Sequence, residues 1–379
     1  MEGTSTPRSK EYSWSATRGI DDSDTAFSEC NSDRSGEFSS STFESRRLLV
    51  SGAAENSDEF IRMLVSKLDS TSIDEQKQAA MKLRLLAKNK PENRLKIAQA
   101  GAIEPLVSII SSGDSQLQEN GVTAILNLSL CDENKEAIVM SGAIKSLVIA
   151  LENGTPATRE NAACALLRLS QVEENKVLIG RLGAIGPLVN LLETGGIRGK
   201  KDAATALYSL CLNTENKLRA VQTGIVKPLV ELLADFGSNM IEKAAFVLKS
   251  LICTPQARME LVKEAGVPVL VEIVEVGTMR QKEIAVAILF QLCEESHLFR
   301  NMVAREGAIP PLVALSQSAS SQTKQKVRNC FYFVSNYVIP AYSNVSPGIT
   351  LSFEISAGSS LLICFPYVRK SVTYVIGFV

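Results

Sequence analysis

Hydrophobic residues recur along this chain in one long-range register. A Leu-Val pair follows a glycine by about five residues, and the whole pattern repeats. The glycines are Gly101, Gly142, Gly183, Gly224, Gly266 and Gly307, at steps of 41, 41, 41, 42 and 41 residues. The pairs are Leu106-Val107, Leu147-Val148, Leu188-Val189, Leu229-Val230, Leu270-Val271 and Leu312-Val313. Internal repeats of about 40 residues are typical of solenoids.

The pattern within one repeat predicts three helices. In the segment 133–171 they are Glu133–Met140, Ile144–Leu151 and Thr158–Ser170, where apolar residues have helical rather than strand spacing. Asn153-Gly154 marks the turn after the second helix. Other units place proline just inside that helix, where a missing N–H costs nothing. The sequence therefore predicts an all-α stack.

The repeat array is expected to span residues 58–326, with each unit contacting only its neighbours. A partial cap unit covers 59–91, with one helix around Leu64-Val65 and another from Ile73 to Ala87. The later units are 92–132, 133–173, 174–214, 215–255, 256–297 and a truncated unit, 298–326. In the unit at 256, Gly266 lies one residue closer to the Leu-Val pair, so we expect a local distortion there.

The residues ENK, GAI.PLV..L and NAA.AL..LS, repeated in register, resemble the armadillo repeat. They are similar in particular to the armadillo region of the plant U-box/armadillo family. The resemblance covers about Asp58–Lys326, and the upstream text CNSDRSGEF, Cys30–Phe38, also resembles that family. It implies a right-handed armadillo α-solenoid, whose concave face is the usual binding surface.

Residues 1–57 are rich in Ser, Thr and acidic residues and poor in large aliphatic ones, so they cannot bury enough surface to offset the entropy of ordering. We expect this tail to be disordered. The run Ser39-Ser40-Ser41-Thr42 suggests phosphorylation, although such tails are common as solvated segments.

Residues 327–379 depart from the repeat pattern, because they hold ten of the 21 aromatic residues and only four charges. Lys326-Val327-Arg328 can be encoded AAG GTA AGA, a consensus 5′ splice junction, so our hypothesis is translated intron from a retained intron or an error in the gene model. Two alternatives stay open. One is a membrane span, although Leu361–Val368 and Val372–Val379 are each too short. The other is a strand-forming or disordered extension.

Charge and cysteine usage narrow the function classes. The chain has 40 Lys plus Arg against 41 Asp plus Glu, so no global field favours nucleic acid or an anionic membrane. Five cysteines fall in the sequence of the predicted third helices, where Cys is expected to act as a small buried apolar residue: Cys131, Cys164, Cys211, Cys253 and Cys293. This usage and the absence of a secretory signal indicate a cytoplasmic or nuclear protein.

No catalytic constellation is visible. His297 is the only histidine, and no GxxxxGK[ST] motif occurs, so neither a metal site nor any cofactor is expected. Paired carboxylates such as Glu173-Glu174 lie in loop text. A U-box would need about 70 residues, a size typical of small domains, and the 57 Ser-rich residues before the repeats cannot hold one. The prediction is a non-catalytic chain, with ubiquitin ligase activity as the alternative.

The third helix of each unit is expected to supply the residues of the groove. If Leu126 and Leu128 point inward, a polar stripe on the opposite face is expected to face solvent. The predicted stripe residues are Asn120, Thr123, Asn127, Asn161, Cys164, Arg168, Asp202, Thr205, Ser209, Lys243, Phe246, Ser250 and Gln291.

The resemblance implies that one column of this stripe faces the groove: Asn127, Arg168, Ser209, Ser250 and Gln291. In the family this column is often asparagine, whose amide can bond both N–H and C=O of an extended peptide. Only Asn127 keeps that residue. The expected partner is therefore a protein, bound as an extended peptide or a helix, with no nucleic acid, membrane or small molecule, and with the chain itself monomeric.

Overall fold

The structure is a computed structural model that describes residues 57–294, 296–318, 327, 360–367 and 370–377. The tail expected to be disordered, residues 1–56 of the 1–57 segment, and most of 319–379 lie outside the described residues. Val327, immediately after Lys326, is helical and buried.

The described solenoid is helical throughout, as the repeat pattern predicts. Its helices begin and end as follows: α1 Asp58–Leu68, α2 Ile73–Asn89, α3 Pro91–Gln99, α4 Ile103–Ile110, α5 Ser115–Leu128, α6 Asp132–Met140, α7 Ala143–Asn153, α8 Pro156–Leu169, α9 Glu173–Arg181, α10 Ile185–Thr194, α11 Ile197–Leu210, α12 Thr214–Gln222, α13 Val226–Ala234, α14 Ile241–Leu251, α15 Pro255–Lys263, α16 Gly266–Val276, α17 Met279–Glu294, α18 His297–Arg305 and α19 Ile309–Ser318.

Each unit contributes a short first helix, a short second helix and a longer third helix. The third helices α2, α5, α8, α11, α14 and α17 each contact the next one along the chain, and the second helices do the same. The core lies between these layers, and Leu106, Leu147, Leu188, Leu229 and Leu270 are fully buried in it. This is an all-α solenoid with one continuous hydrophobic core.

The turn between first and second helices has a fixed backbone requirement. In five units a glycine there has positive φ, for example 78° at Gly142 and 84° at Gly224. A residue with a Cβ is strained in this region, so glycine is the favoured residue. The third helices begin with side-chain caps in several units, such as Asp114, which accepts hydrogen bonds from the N–H groups of Gln116 and Leu117.

The distortion expected in the unit at 256 takes a specific form. The positive φ falls on Ala265, at 55°, whereas Gly266 is the first residue of α16. The turn therefore keeps its 41-residue interval from Gly224, and it is the glycine that has shifted by one residue. A Cβ on Gly266 would lie 2.1 Å from Leu261 Cδ1. Glycine is therefore required at this position for close packing against Leu261, and not for the backbone conformation of the turn.

A buried asparagine near the start of the first helix joins successive units. The Asn134 amide donates to the carbonyl oxygens of Leu128 (3.1 Å) and Arg94 (3.0 Å), and the first of these ends the preceding third helix. Asn216 does the same with Leu210 (3.2 Å) and Lys176 (2.7 Å). Carbonyls at a helix end lack partners within the helix, so these bonds complete the third helix and tie its unit to the previous one.

The last two units replace this asparagine with arginine, one position later in the first helix. Arg258 donates to the carbonyls of Ile252 (2.8 Å) and Cys253 (3.0 Å), and Arg300 donates to those of Cys293 and Glu294. The longer guanidinium reaches equivalent carbonyls from the shifted position. Arg258 therefore compensates for the loss of the Glu-Asn-Lys motif at residue 256.

Two of the five cysteines expected to be buried are not. Cys164, Cys211 and Cys293 are buried, but Cys253 is exposed and Cys131 is half-buried. Both lie beyond the third helix, in the turn before the next first helix, where the packed face has ended. Burial raises the pKa of the Cys211 thiol to about 12, as expected for a small apolar core residue.

Beyond the solenoid, two strands form an antiparallel hairpin, β1 Ser360–Tyr367 and β2 Lys370–Gly377, in which Ser360 pairs with Gly377. The strand-forming alternative for the tail agrees with this hairpin, and its origin as translated intron stays a hypothesis. Within the parts of the chain described, no single helix has the length and apolarity to cross a membrane. The bent pair α9 and α10 together has the length and composition of a membrane span.

Replacing Leu147 with alanine should lower the free energy of unfolding by about 2–5 kcal/mol, because the side chain is fully buried and leaves a cavity. Chemical denaturation followed by circular dichroism measures the change. Ile149→Ala is the matched control, since Ile149 lies on the same helix but is 42% exposed. Equal losses for the two variants would contradict this assignment of the core face.

Replacing Ala265 with glycine should raise the free energy of unfolding by about 0.5–1 kcal/mol, because the strain of a Cβ in the left-handed region outweighs the backbone entropy cost of glycine. Ala265 is exposed, so no packing is lost. Gly224→Ala, in the equivalent turn, should have the opposite sign. Destabilisation by Ala265→Gly in the same denaturation experiment would refute the strained turn.

Candidate functional site

The candidate site is the face of the solenoid that the third helices build. Because these helices lie side by side, positions 41 residues apart form columns that run across the units. Nine of the thirteen residues of the predicted stripe are buried rather than solvent-facing: Asn120, Thr123, Asn127, Asn161, Cys164, Asp202, Thr205, Lys243 and Phe246. The expectation of a solvent-facing stripe was wrong for these nine.

The reason is visible in the hydrogen bonds between neighbouring third helices. Arg84 donates to Asn120 Oδ1 (2.9 Å), and Asn127 Nδ2 donates to the carbonyl of Arg84 (2.9 Å). One unit further on, Asn161 Nδ2 donates to Thr123 Oγ1 (2.9 Å). These polar side chains join adjacent helices, so the side-chain amide of Asn127 already donates a hydrogen bond within the solenoid.

A group of charged side chains lies on the same face, with Asp202 buried and Arg198 and Glu160 half-buried. Arg198 donates to Asn161 Oδ1 (2.7 Å), and its guanidinium lies 3.6 Å from Glu160 Oε2 and 3.7 Å from Asp202 Oδ2. Glu160 also accepts from the backbone N–H of Gly199 (3.2 Å). Arg198 thus bridges two third helices and holds two carboxylates.

Asp202 is the most perturbed of these groups. Burial raises the pKa of its carboxyl to about 6, and Glu160 adds to the rise, although Arg198, Lys243 and Arg168 oppose it. Its ionised form is therefore disfavoured in the folded protein, because few waters reach the carboxylate and the nearby cations only partly replace them.

The four remaining predicted residues keep partial exposure: Arg168, Ser209, Ser250 and Gln291. With Asn127 they form the column that the resemblance assigned to the groove. Ser209 shares a 2.8 Å hydrogen bond with Ser170, and Ser250 donates to the carbonyl of Val247. The column therefore reaches the surface at these four residues but not at Asn127, and its role in binding stays a prediction.

A neighbouring column was missed by the sequence reasoning. Leu126 and Leu167 are buried, but the equivalent residues in the next three units, Tyr208, Lys249 and Phe290, are half-buried. The signal was available, because a position that is leucine in two units and lysine in another is not enclosed equally in all of them.

These residues join a cluster that we term the aromatic–cationic patch, consisting of Tyr208, Phe246, Lys249, Arg280 and Phe290. The rings of Tyr208 and Phe246 meet edge to face with centroids 6.5 Å apart. Lys249 Nζ lies 6.0 Å and Arg280 Cζ 5.8 Å from the Phe246 centroid, and Arg280 Nε is 3.4 Å from Glu242 Oε2. Both distances are within the range of cation–π attraction.

His297, the single histidine, is exposed at the start of α18, seven residues beyond Phe290 of the patch. Among the residues with assigned positions, no group of three His, Cys, Asp or Glu side chains could hold a metal ion. A face that combines aromatic rings, cations and hydroxyl groups offers apolar contact, charge and hydrogen bonds to a protein segment.

Replacing Asp202 with asparagine should stabilise the protein at pH 7.5 by about 3 kcal/mol, since the variant cannot carry the buried charge. With a folded-state pKa of about 6 against an ordinary value of 3.8, the folded protein binds more protons between these pH values, so wild-type stability falls as pH rises through this window. At pH 3.5 the difference should vanish. Denaturation curves at several pH values measure this effect.

The control is Asp132→Asn. The Lys135 ammonium holds the pKa of the exposed Asp132 carboxyl below its usual range, so this variant loses a favourable interaction and should show no gain at pH 7.5. An Asp202→Asn variant whose advantage did not change between pH 3.5 and 7.5 would contradict the buried-charge assignment.

Comparison with known proteins places the repeats in a family. The family model described as the plant U-box protein ARM repeat region matches residues 60–334, which extends past the expected boundary at Lys326. U-box domain-containing protein 4 from Arabidopsis thaliana is 51% identical over 72 residues, 19% of this chain and 9% of that protein. E3 ubiquitin-protein ligase SPL11 from Oryza sativa subsp. japonica is 52% identical over 73 residues, 19% of this chain and 10% of that protein.

The matched regions thus span about a tenth of the length of these curated relatives. Among solved structures, the crystal structure of an engineered protein from the Northeast Structural Genomics Consortium superposes with a TM-score of 0.65 at 26% identity, covering 75% of this chain and 71% of that one. The family model covers nearly three quarters of the 379 residues, and the chain belongs to the plant U-box protein armadillo-repeat family.

Proposed function

We propose that this chain is a non-catalytic scaffold that binds a protein partner along the third-helix face of its repeats. The observation that carries this proposal is the surface that runs across successive units, formed by the half-buried column and the aromatic–cationic patch. Its side chains offer rings, cations and hydroxyl groups along one continuous line of helices. An extended peptide or a helix laid across that line would contact several units at once.

The open part of the surface lies toward the C-terminal units. Asn127 is buried, whereas Ser209, Ser250 and Gln291 are half-buried, as are Tyr208 and the other members of its column in these units. Partner contacts are therefore concentrated on α11, α14 and α17. A ladder of asparagines clamping a peptide backbone is not the mode of binding, because Asn127 and Asn161 are engaged between helices.

A second function is favoured by the relatives. One of them is described as an E3 ubiquitin-protein ligase, and the family model that matches residues 60–334 of this chain is that of the plant U-box protein ARM repeat region. The scaffold would then select substrates for ubiquitination, either for a ligase module in the same protein or for a separate ligase. Incubation of the purified chain with ubiquitin, activating enzyme and conjugating enzyme tests this, since self-ubiquitination would establish a ligase and rule out the purely non-catalytic role.

The groove itself is tested by Ser250→Tyr, which places a bulky ring on the open column of α14. Proximity labelling in plant cells should recover a set of proteins with the wild-type chain, and at least tenfold less of that set with the variant, because the ring blocks the face. Ser111→Tyr, an equal substitution at an exposed turn after α4, is the matched control and should leave recovery unchanged.

Thermal melting should show both variants folded, with midpoints within a few degrees of the wild type. Equal recovery with Ser250→Tyr and the wild-type chain, in protein that is folded, would refute the groove. Lys249→Ala provides a second variant should the tyrosine disturb packing, since this side chain is half-buried and its removal leaves α14 intact.

A further inference from the structure

The aromatic–cationic patch has a defined chemical complement. Lys249 and Arg280 both lie against the ring of Phe246, and Tyr208 meets that ring edge to face. The half-buried Phe290 takes the position of Lys249 one unit later. Three further cations, Arg168 on α8, Arg198 on α11 and the buried Lys243 on α14, act on the charge of Asp202. The matching segment would carry carboxylates with phenyl side chains among them, so that charge and ring contacts form together.

The chain itself contains such a segment, residues 21–44, upstream of the described solenoid. It has seven acidic residues and one basic residue, Arg34. The acidic residues are Asp21, Asp22, Asp24, Glu29, Asp33, Glu37 and Glu44. Phe27, Phe38 and Phe43 are distributed among them. Both properties that the patch requires therefore occur together in one short stretch.

The connection is long enough to reach the patch. Thirty residues separate Phe27 from Ser57, where the described solenoid begins, and that length spans up to about 100 Å when extended. From α2 to α14 there are four steps between neighbouring third helices, and packed helices lie about 10 Å apart, which gives a separation of roughly 40 Å. The root-mean-square span of thirty residues, about 30 Å, is of the same order.

We propose that residues 21–44 bind the aromatic–cationic patch of the same chain and compete there with the protein partner. As regulation of the binding face, this rests on the proposed function. Contacts between exposed charges are individually weak, and salt screens them. A tethered segment, however, meets its site at an effective concentration of the order of millimolar, so weak contacts suffice for occupancy and a tighter partner displaces the segment.

The test uses the full chain with Phe27 replaced by the photocrosslinking residue p-benzoylphenylalanine. After irradiation, mass spectrometry should find crosslinks from residue 27 to peptides of α11, α14 and α17. Lys249→Glu should reduce these crosslinks at least fivefold, and 0.5 M salt should reduce them as well. Lys227→Glu is the matched control, because it reverses an exposed lysine of the same unit on the second helix, outside the face, and should leave the crosslinks unchanged.

Mixing isotopically heavy and light chains before irradiation distinguishes a segment bound to its own chain from a segment bound to a second copy. Crosslinks confined to one isotope support binding within a chain, whereas heavy-to-light crosslinks would identify a second copy as the occupant and overturn the proposal. Crosslinks scattered over first and second helices, or unaffected by Lys249→Glu, would overturn it as well.

A companion measurement distinguishes this proposal from the function on which it rests. Replacing Asp21, Asp22 and Asp24 with asparagine should raise recovery of the partner set two- to fivefold, because competition is weakened. If crosslinks to the face are absent while Ser250→Tyr still abolishes partner recovery, the proposed function stands and the internal competitor does not. If the crosslinks form but Ser250→Tyr loses no partner, residues 21–44 do bind the face and the proposed function is wrong.

Discussion

The structure depends on the contact between one third helix and the next. Neither a single unit nor its three helices enclose an interior, so residues such as Leu147 become fully buried only when units stack. Polar groups reinforce the same contact. Asn134 and Asn216 complete the end of a third helix while bonding to the preceding first helix, and Arg258 and Arg300 cap the third helices of the last complete units. Stability in this fold is therefore shared between neighbours.

The same contact explains the character of the candidate binding face. Where third helices lie close together, polar side chains on that face bond across the contact, as Asn161 does with Thr123 and Arg198. Such residues stabilise the solenoid and are no longer open to a partner. Toward the C-terminal units the side chains become larger and more exposed, and rings and cations gather around Phe246. The face is thus structural in its early units and available for recognition in its later ones.

Asp202 marks the transition between these two regions. Its carboxyl is surrounded by Arg198, Lys243 and Arg168, yet burial still dominates its pKa. A buried group of opposite charges contributes little to stability, because the desolvation of each charge offsets much of their attraction. Its consequence is local, because Arg198 of α11 bonds to Asn161 and pairs with Glu160 of α8 and so joins these two helices. The proposed competition by residues 21–44 would act on that column and the adjoining patch.

The sequence by itself determined the helical class, the three-helix unit and the interval between units, because apolar periodicity and turn glycines are local and repeat many times. The family resemblance, rather than the pattern itself, pointed to the column in which Arg168, Ser209, Ser250 and Gln291 are half-buried and Asn127 is buried. Only the tertiary structure decided which polar residues of the third helix are buried, because that depends on how closely neighbouring helices approach. For the same reason it showed that Ala265 rather than Gly266 adopts the left-handed turn, that Arg258 takes over from asparagine, and that Tyr208 and Lys249 belong to the open face. The burial of the polar residues is set by contacts between residues about 40 positions apart, such as Asn161 with Thr123, which the sequence pattern of one unit does not contain.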